Sequence, residues 1–196
     1  MVLDYNEMIP FIISSIKKKS LISFLFISMN VLLFLLILIF IISRTISGQL
    51  TLSVILKQVI FGLLSGSIFI IPVHELLHGL AYKILGARKI QFGADFKQFI
   101  FYVTANRYPV SGKEFIFLAL TPFVLINIVT IVSAVYWIPG GLLYAGALLL
   151  THNIMCIGDF AMVSYVFRNR IKRLFTFDEV EEKKSYFFEK ILNNQK

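Results

Sequence analysis

The chain alternates between long apolar stretches and short polar ones, and the two differ in period. Residues 21–43 hold no Lys, Arg, Asp or Glu, and Asn30 is their only strongly polar side chain. Three further stretches, at about 57–85, 115–138 and 141–167, are apolar apart from a few isolated polar residues. Each is long enough to cross the roughly 30 Å hydrocarbon core of a bilayer as a helix. The pattern therefore predicts four transmembrane helices. The first stretch is too long for a signal-peptide core and no small-residue cleavage site follows it, so it reads as a retained span.

Two segments follow other rules. Between 88 and 105 apolar residues alternate: Ile90 and Phe92, then Phe99, Phe101 and Val103, with Gly93-Ala94-Asp95 between them. Period two predicts a short β-hairpin. From Thr176 the tail offers a capping box with Glu179, after which Val180, Phe187, Phe188, Ile191 and Leu192 share one helical face. That predicts an amphipathic helix resting on the inner leaflet. The expected fold class is an all-α membrane protein with a short cytoplasmic β-hairpin-like loop and an amphipathic C-terminal helix. Its parts are an N-terminal segment (1–20), a four-helix transmembrane domain (21–167) and a basic, amphipathic tail (168–196).

Composition sharpens this picture. Hydrophobic residues make up 58% of the chain, which suits a membrane protein better than an ordinary soluble domain. The net charge of +8 does not point to nucleic acid, because the charges are segregated between the apolar spans. Lys17, Lys18 and Lys19 precede the first span. Arg88, Lys89, Lys97, Arg107 and Lys113 lie in the 86–114 loop, and Arg168, Arg170, Lys172 and Arg173 follow the fourth span. The positive-inside rule places both termini and this loop in the cytoplasm of a multi-pass cell-membrane protein. Tyr136 and Trp137 suit an aromatic belt at the opposite face. Cys156 is the single cysteine, so no intramolecular disulfide and no cysteine cluster for zinc is expected. Metal ligands must then come from His, Asp or Glu.

The second span breaks its own pattern at PVHELLHG, residues 72–79. His74 and His78 are four apart, so a helix projects both from one face, where they can share one metal ion. Glu75 beside them is placed to take a proton from water. This is the H-E-x-x-H signature of zinc metallopeptidases. Ionisable groups within a span are costly and mark function. Pro72 predicts a kink just before the site, and Gly62 and Gly66 predict a close helix approach.

A catalytic zinc site needs a third protein ligand. The fourth span supplies His152 and Asp159, seven apart and so on nearly one helical face. His78 lies ten residues before Arg88, Asp159 nine before Arg168, and His152 sixteen before Arg168. At about 1.5 Å per residue, depth admits either and slightly favours Asp159. His152 then serves as a neighbouring partner or an alternative ligand. The expected chemistry is hydrolysis of a peptide bond in or near the inner leaflet. Zn²⁺ would sit on His74, His78 and Asp159, with Glu75 as general base and Asn153 or Asn127 at the oxyanion. The substrate is a peptide or membrane protein. The other reading is a non-catalytic metal-binding or scaffold protein, and a transporter is disfavoured by four spans with no repeat and no second broken helix.

HELLHG in a span, LTPF in the next and HNIMCIGD in the last resemble a family of small bacterial membrane proteins regarded as zincin peptidases, and more distantly the site-2 proteases. The resemblance covers roughly residues 20–167. It implies a zinc-dependent intramembrane peptidase, with Asp159 in the place of the third ligand. The chain departs from the site-2 protease pattern in having Gly158 before the aspartate, Phe160 after it, and no proline between Asn153 and Asp159.

Overall fold

The computed structural model describes residues 1–18, 20–95, 100–137, 140–169 and 174–189. In chain order its elements are β1 (Val2–Asp4), α1 (Met8–Lys17), α2 (Leu21–Ile46), α3 (Leu52–Leu64), α4 (Ile70–Ile84), β2 (Gln91–Asp95), β3 (Ile100–Thr104), β4 (Val110–Ser111), α5 (Gly112–Tyr136), α6 (Leu142–Met155), α7 (Ile157–Arg168), β5 (Leu174–Glu179) and β6 (Lys184–Glu189). The chain is mostly helical and forms two compact units. One comprises Met1–Ser23, Glu75–Thr121 and Gly158–Lys196; the other comprises Phe24–His74 and Pro122–Ile157.

Three helices are long and apolar enough to cross a membrane: Leu21–Ile46, Leu52–Ile84 and Gly112–Tyr136. The pair α6 and α7 meets the same test as one broken span, bent by 49°. These bounds follow the predicted spans, with one change of shape in each of two. Leu52–Ile84 runs from α3 into α4 through a π-helical turn at Ser65–Phe69. The irregularity thus precedes Pro72 rather than coinciding with it. Pro72 cannot donate to the Ile68 carbonyl, and a wider turn just before it absorbs the mismatch. The predicted fourth span is not one continuous helix, so the expectation of no second broken helix is corrected. It breaks at Cys156, and Gly158, a poor helix former, follows the break. His152 and Asp159 therefore stand on different helices, and the expectation that they share one face is corrected.

Within the second unit, α3 and α6 pack backbone to backbone. A Cβ added at Gly62 would lie 2.6 Å from the Tyr144 carbonyl oxygen and 2.7 Å from the Ala147 Cβ. One added at Gly66 would lie 2.9 Å from the Leu148 carbonyl oxygen. Only glycine permits this approach, as the small-xxx-small pattern predicts. The Tyr144 amide donates to Gln58 Oε1 at 3.2 Å, and the Tyr144 hydroxyl donates to Ser65 Oγ at 3.0 Å.

The first unit is built on strands. β2 and β3 pair antiparallel, from Gln91 opposite Thr104 to Asp95 opposite Ile100. The predicted hairpin is present, but Gly93 to Asp95 belong to its first strand, and Phe99 lies outside the described residues. Val103, Phe92 and Ile90 of this segment line the space beside Gly79 on α4.

The tail departs from expectation. Residues 174–189 form a hairpin rather than an amphipathic helix, and they join a four-stranded sheet ordered β1-β6-β5-β4. The segment is dense in aromatic and β-branched residues that fit a pleat. Its register sets Phe175 against Phe188 and Phe177 against Tyr186. The latter rings stack with centroids 5.0 Å apart, and such cross-strand pairs are the unit of sheet stability. Thr176, read from sequence as a helix cap, is a buried strand residue. Ile191 and Leu192 lie outside the described residues. The chain is thus not all-α: β1 and the tail hairpin add a sheet to the expected helices.

Candidate metal centre

α4 sets the geometry of the signature. Val73, Leu76, Leu80 and Ile84 are exposed on one side of it, whereas His74 and Glu75 are half-buried and His78 is buried. An apolar surround on one side and a polar stripe on the other is what H-E-L-L-H encodes at helical period.

In the first unit, His78 Nε2 lies 3.4 Å from Asp159 Oδ1. The other ring nitrogen, Nδ1, is 3.1 Å from the Leu118 carbonyl oxygen. A carbonyl only accepts, so Nδ1 carries the proton, and that fixes the tautomer. A neutral ring with its proton there turns a lone pair at Nε2 towards the carboxylate oxygen, and the two acceptors can share a cation; a protonated ring would instead donate to Asp159 as an ion pair. The spacing is longer than a charge-assisted N–H···O bond, at about 2.7–2.9 Å. It is close to the distance of about 3.3 Å between two light-atom ligands on a tetrahedral zinc. A carbonyl holding the far nitrogen of a histidine is the usual support for a ligating imidazole. These residues fit a zinc ion.

The Leu118 carbonyl is available for a reason legible in LTPF. Pro122 lies inside α5, four residues after Leu118, and it has no N–H to return to that carbonyl. The proline thereby frees the acceptor that orients His78. At the start of α5, Ser111 and Glu114 cap reciprocally: the Ser111 amide donates to Glu114 Oε2 at 2.7 Å, and the Glu114 amide donates to Ser111 Oγ at 3.4 Å.

In the second unit, His74 Nδ1 is 3.2 Å from His152 Nε2. Cys156 Sγ is 3.5 Å from the same His152 nitrogen and 3.9 Å from His74 Nδ1. His152 and Cys156 are buried. Sequence reasoning set Cys156 aside because a lone cysteine has no partner cysteine. Only the α6 spacing of four from His152 could have placed it in the set. Asn127 and Asn153 exchange side-chain amide hydrogen bonds at 2.7 and 3.2 Å, and Asn127 also donates to the Phe123 carbonyl at 2.8 Å. The two predicted oxyanion residues thus pair with each other.

Of the predicted ligands, then, His78 stands with Asp159 and His74 with His152, while α4 spaces the two histidines four residues apart. A family model described as "Putative zincin peptidase" matches residues 67–172. The match takes in HELLHG, LTPF and HNIMCIGD and covers more than half of the chain, and the chain belongs to this family of zincin-type peptidases. Comparison with curated proteins and with solved structures gives no match.

Proposed function

We propose that the protein is an intramembrane zinc metallopeptidase related distantly to the site-2 proteases. The observation that carries this is the His78–Asp159 pair at 3.4 Å with His78 Nδ1 anchored on the Leu118 carbonyl. Such an arrangement suits a shared cation. On the H-E-x-x-H spacing of the sequence, His74 is the proposed further ligand beside His78 and Asp159. Zinc held there supplies an acidified water and a polarised peptide carbonyl. Glu75 takes the proton of the attacking water and delivers it to the leaving amine. Asn127 and Asn153 hold each other, and their role is to tie α5 to α6 beside His152 rather than to bind the oxyanion.

The intramembrane reading takes the three long apolar helices and the bent α6–α7 pair as four spans, and the length and apolar character of these helices support it. By the positive-inside rule, the Lys and Arg clusters favour a cytoplasmic position for both termini and the 86–114 loop. The substrate is a peptide or the segment of a membrane protein near the inner leaflet, and nucleic acid is not a partner.

The test is Glu75→Gln in detergent-purified protein, with zinc content and cleavage of a membrane-peptide library read together. The reading expects wild-type zinc content and cleavage lowered by about 10²–10⁴-fold. Equal cleavage by Glu75→Gln and wild type would remove Glu75 as the base.

A further inference from the structure

We infer that His74, His152 and Cys156 form a second, thiolate-bearing site for a thiophilic divalent ion such as zinc. This rests on the peptidase reading only in that His74 belongs to both ligand sets.

The argument is geometric. Tetrahedral zinc with bonds of about 2.05 Å to nitrogen and about 2.3 Å to sulfur separates two nitrogens by about 3.3 Å, and a nitrogen from a sulfur by about 3.6 Å. The three donor atoms are separated by 3.2 Å (His74 Nδ1 to His152 Nε2), 3.5 Å (His152 Nε2 to Cys156 Sγ) and 3.9 Å (His74 Nδ1 to Cys156 Sγ). All three edges of the triangle match within a few tenths of an ångström. Two edges would be enough for a chain of hydrogen bonds; a shared ion requires the third edge to close as well, and it does. The trio lies wholly within the second unit.

The surroundings agree. His152 and Cys156 are 2% and 0% exposed, so the sulfur is shielded from oxidants and competing water. His152 lies in the last turn of α6, a 14-residue helix that ends at Met155, and Cys156 is its C-cap. The partial negative charge of a helix C-terminus favours a cation there. His152 and Cys156 are spaced i, i+4, the same spacing by which α4 presents His74 and His78. On binding, the Cys156 thiol loses its proton to solvent and the sulfur donates as thiolate, with no change of oxidation state. Because His74 serves both sets, each chain holds one ion in one set at a time. The set with Asp159 is the tighter, hydrolytic one, and the sulfur-containing set holds the ion in the remaining fraction of chains.

The test loads full-length protein in detergent with Co²⁺. Wild type is expected to give a thiolate-to-cobalt charge-transfer band in the near ultraviolet. Cys156→Ser should abolish it, and Asp159→Asn should keep or strengthen it. X-ray absorption at the zinc edge of the wild type needs no variant and should include a sulfur scatterer at about 2.3 Å. Cobalt bound without the band, together with only nitrogen and oxygen scatterers, would overturn the inference. If Asp159→Asn then weakens binding, the peptidase reading survives that failure. Conversely, a thiolate band with metal affinity indifferent to His78→Ala and Asp159→Asn, and no cleavage, upholds this site and removes the peptidase one. A wild type that binds no metal overturns both.

Discussion

Pro122→Ala separates the two jobs of one residue by moving two observables in opposite directions. Pro122 is fully buried inside α5. A proline in a helix interior costs roughly 3 kcal/mol relative to alanine. The substitution also removes two packed methylene groups, worth about 0.8 kcal/mol each. The balance is a gain of roughly 1 kcal/mol in the stability of the metal-free protein. The new amide at position 122 competes for the Leu118 carbonyl, which now accepts from His78 Nδ1 at 3.1 Å. Loss of such support to a ligating histidine typically costs 10–100-fold in metal affinity. The predicted outcome is therefore a higher thermal midpoint without metal and zinc affinity lower by about 10–100-fold, measured by chelator competition in detergent. Zinc affinity that is unchanged, or that rises along with stability, would refute the role given to the freed carbonyl.

The other expectations rest on separate features. Gly62→Ala should destabilise by about 1–3 kcal/mol, because its Cβ would meet the Tyr144 carbonyl oxygen at 2.6 Å; Gly79→Ala, whose nearest neighbour would be Val103 Cγ1 at 3.4 Å, should be tolerated. Thermal midpoints of the two variants test this, and equal loss in both would contradict the packing account. Asp178 accepts from Thr104 Oγ1 at 2.7 Å and from Ser185 Oγ at 2.6 Å, yet burial raises its pKa above the ordinary carboxylate value and also helps to push up that of Tyr5 nearby. A raised pKa in the folded state means that the contribution to stability is full below the unfolded pKa, near 4, and is lost as pH rises through the folded one. Asp178→Asn should flatten that part of the stability–pH curve, and an identical slope in both proteins would count against it. Lys183 has φ +52° in the tail hairpin turn, so Lys183→Gly should raise the thermal midpoint, by about 1–2 kcal/mol of relieved strain; a fall would mean that the side chain is needed there.

Much of the site was readable from residue type and spacing. HELLH proposes two ligands and a base at helical period, and Asp159 stands out because few carboxylates occur in the apolar stretches. What escaped was whatever depends on backbone breaks. The bend at Cys156 assigns His152 and Asp159 to different helices, and a periodicity count cannot see such a break. Cys156 was passed over because a single thiol has no sequence pattern of its own. The tail misled for a different reason. Its residues satisfy a helical face through Val180, Phe187 and Phe188, and a strand alternation through Phe175, Phe177, Tyr186 and Phe188. Cross-strand stacking of the second set decides it. β1, three residues long, finds its partner only once β6 exists. LTPF was noticed as a likeness, but the work of its proline becomes visible only when His78 Nδ1 is seen on the Leu118 carbonyl.

The central claim is that His78 and Asp159 meet around a metal ion. The most direct measurement is zinc per chain in detergent-purified wild type, His78→Ala and Asp159→Ala, prepared without chelators. The account predicts about one zinc per wild-type chain, with binding markedly weakened in both variants. A wild type devoid of zinc, or full zinc content in both variants, would contradict it.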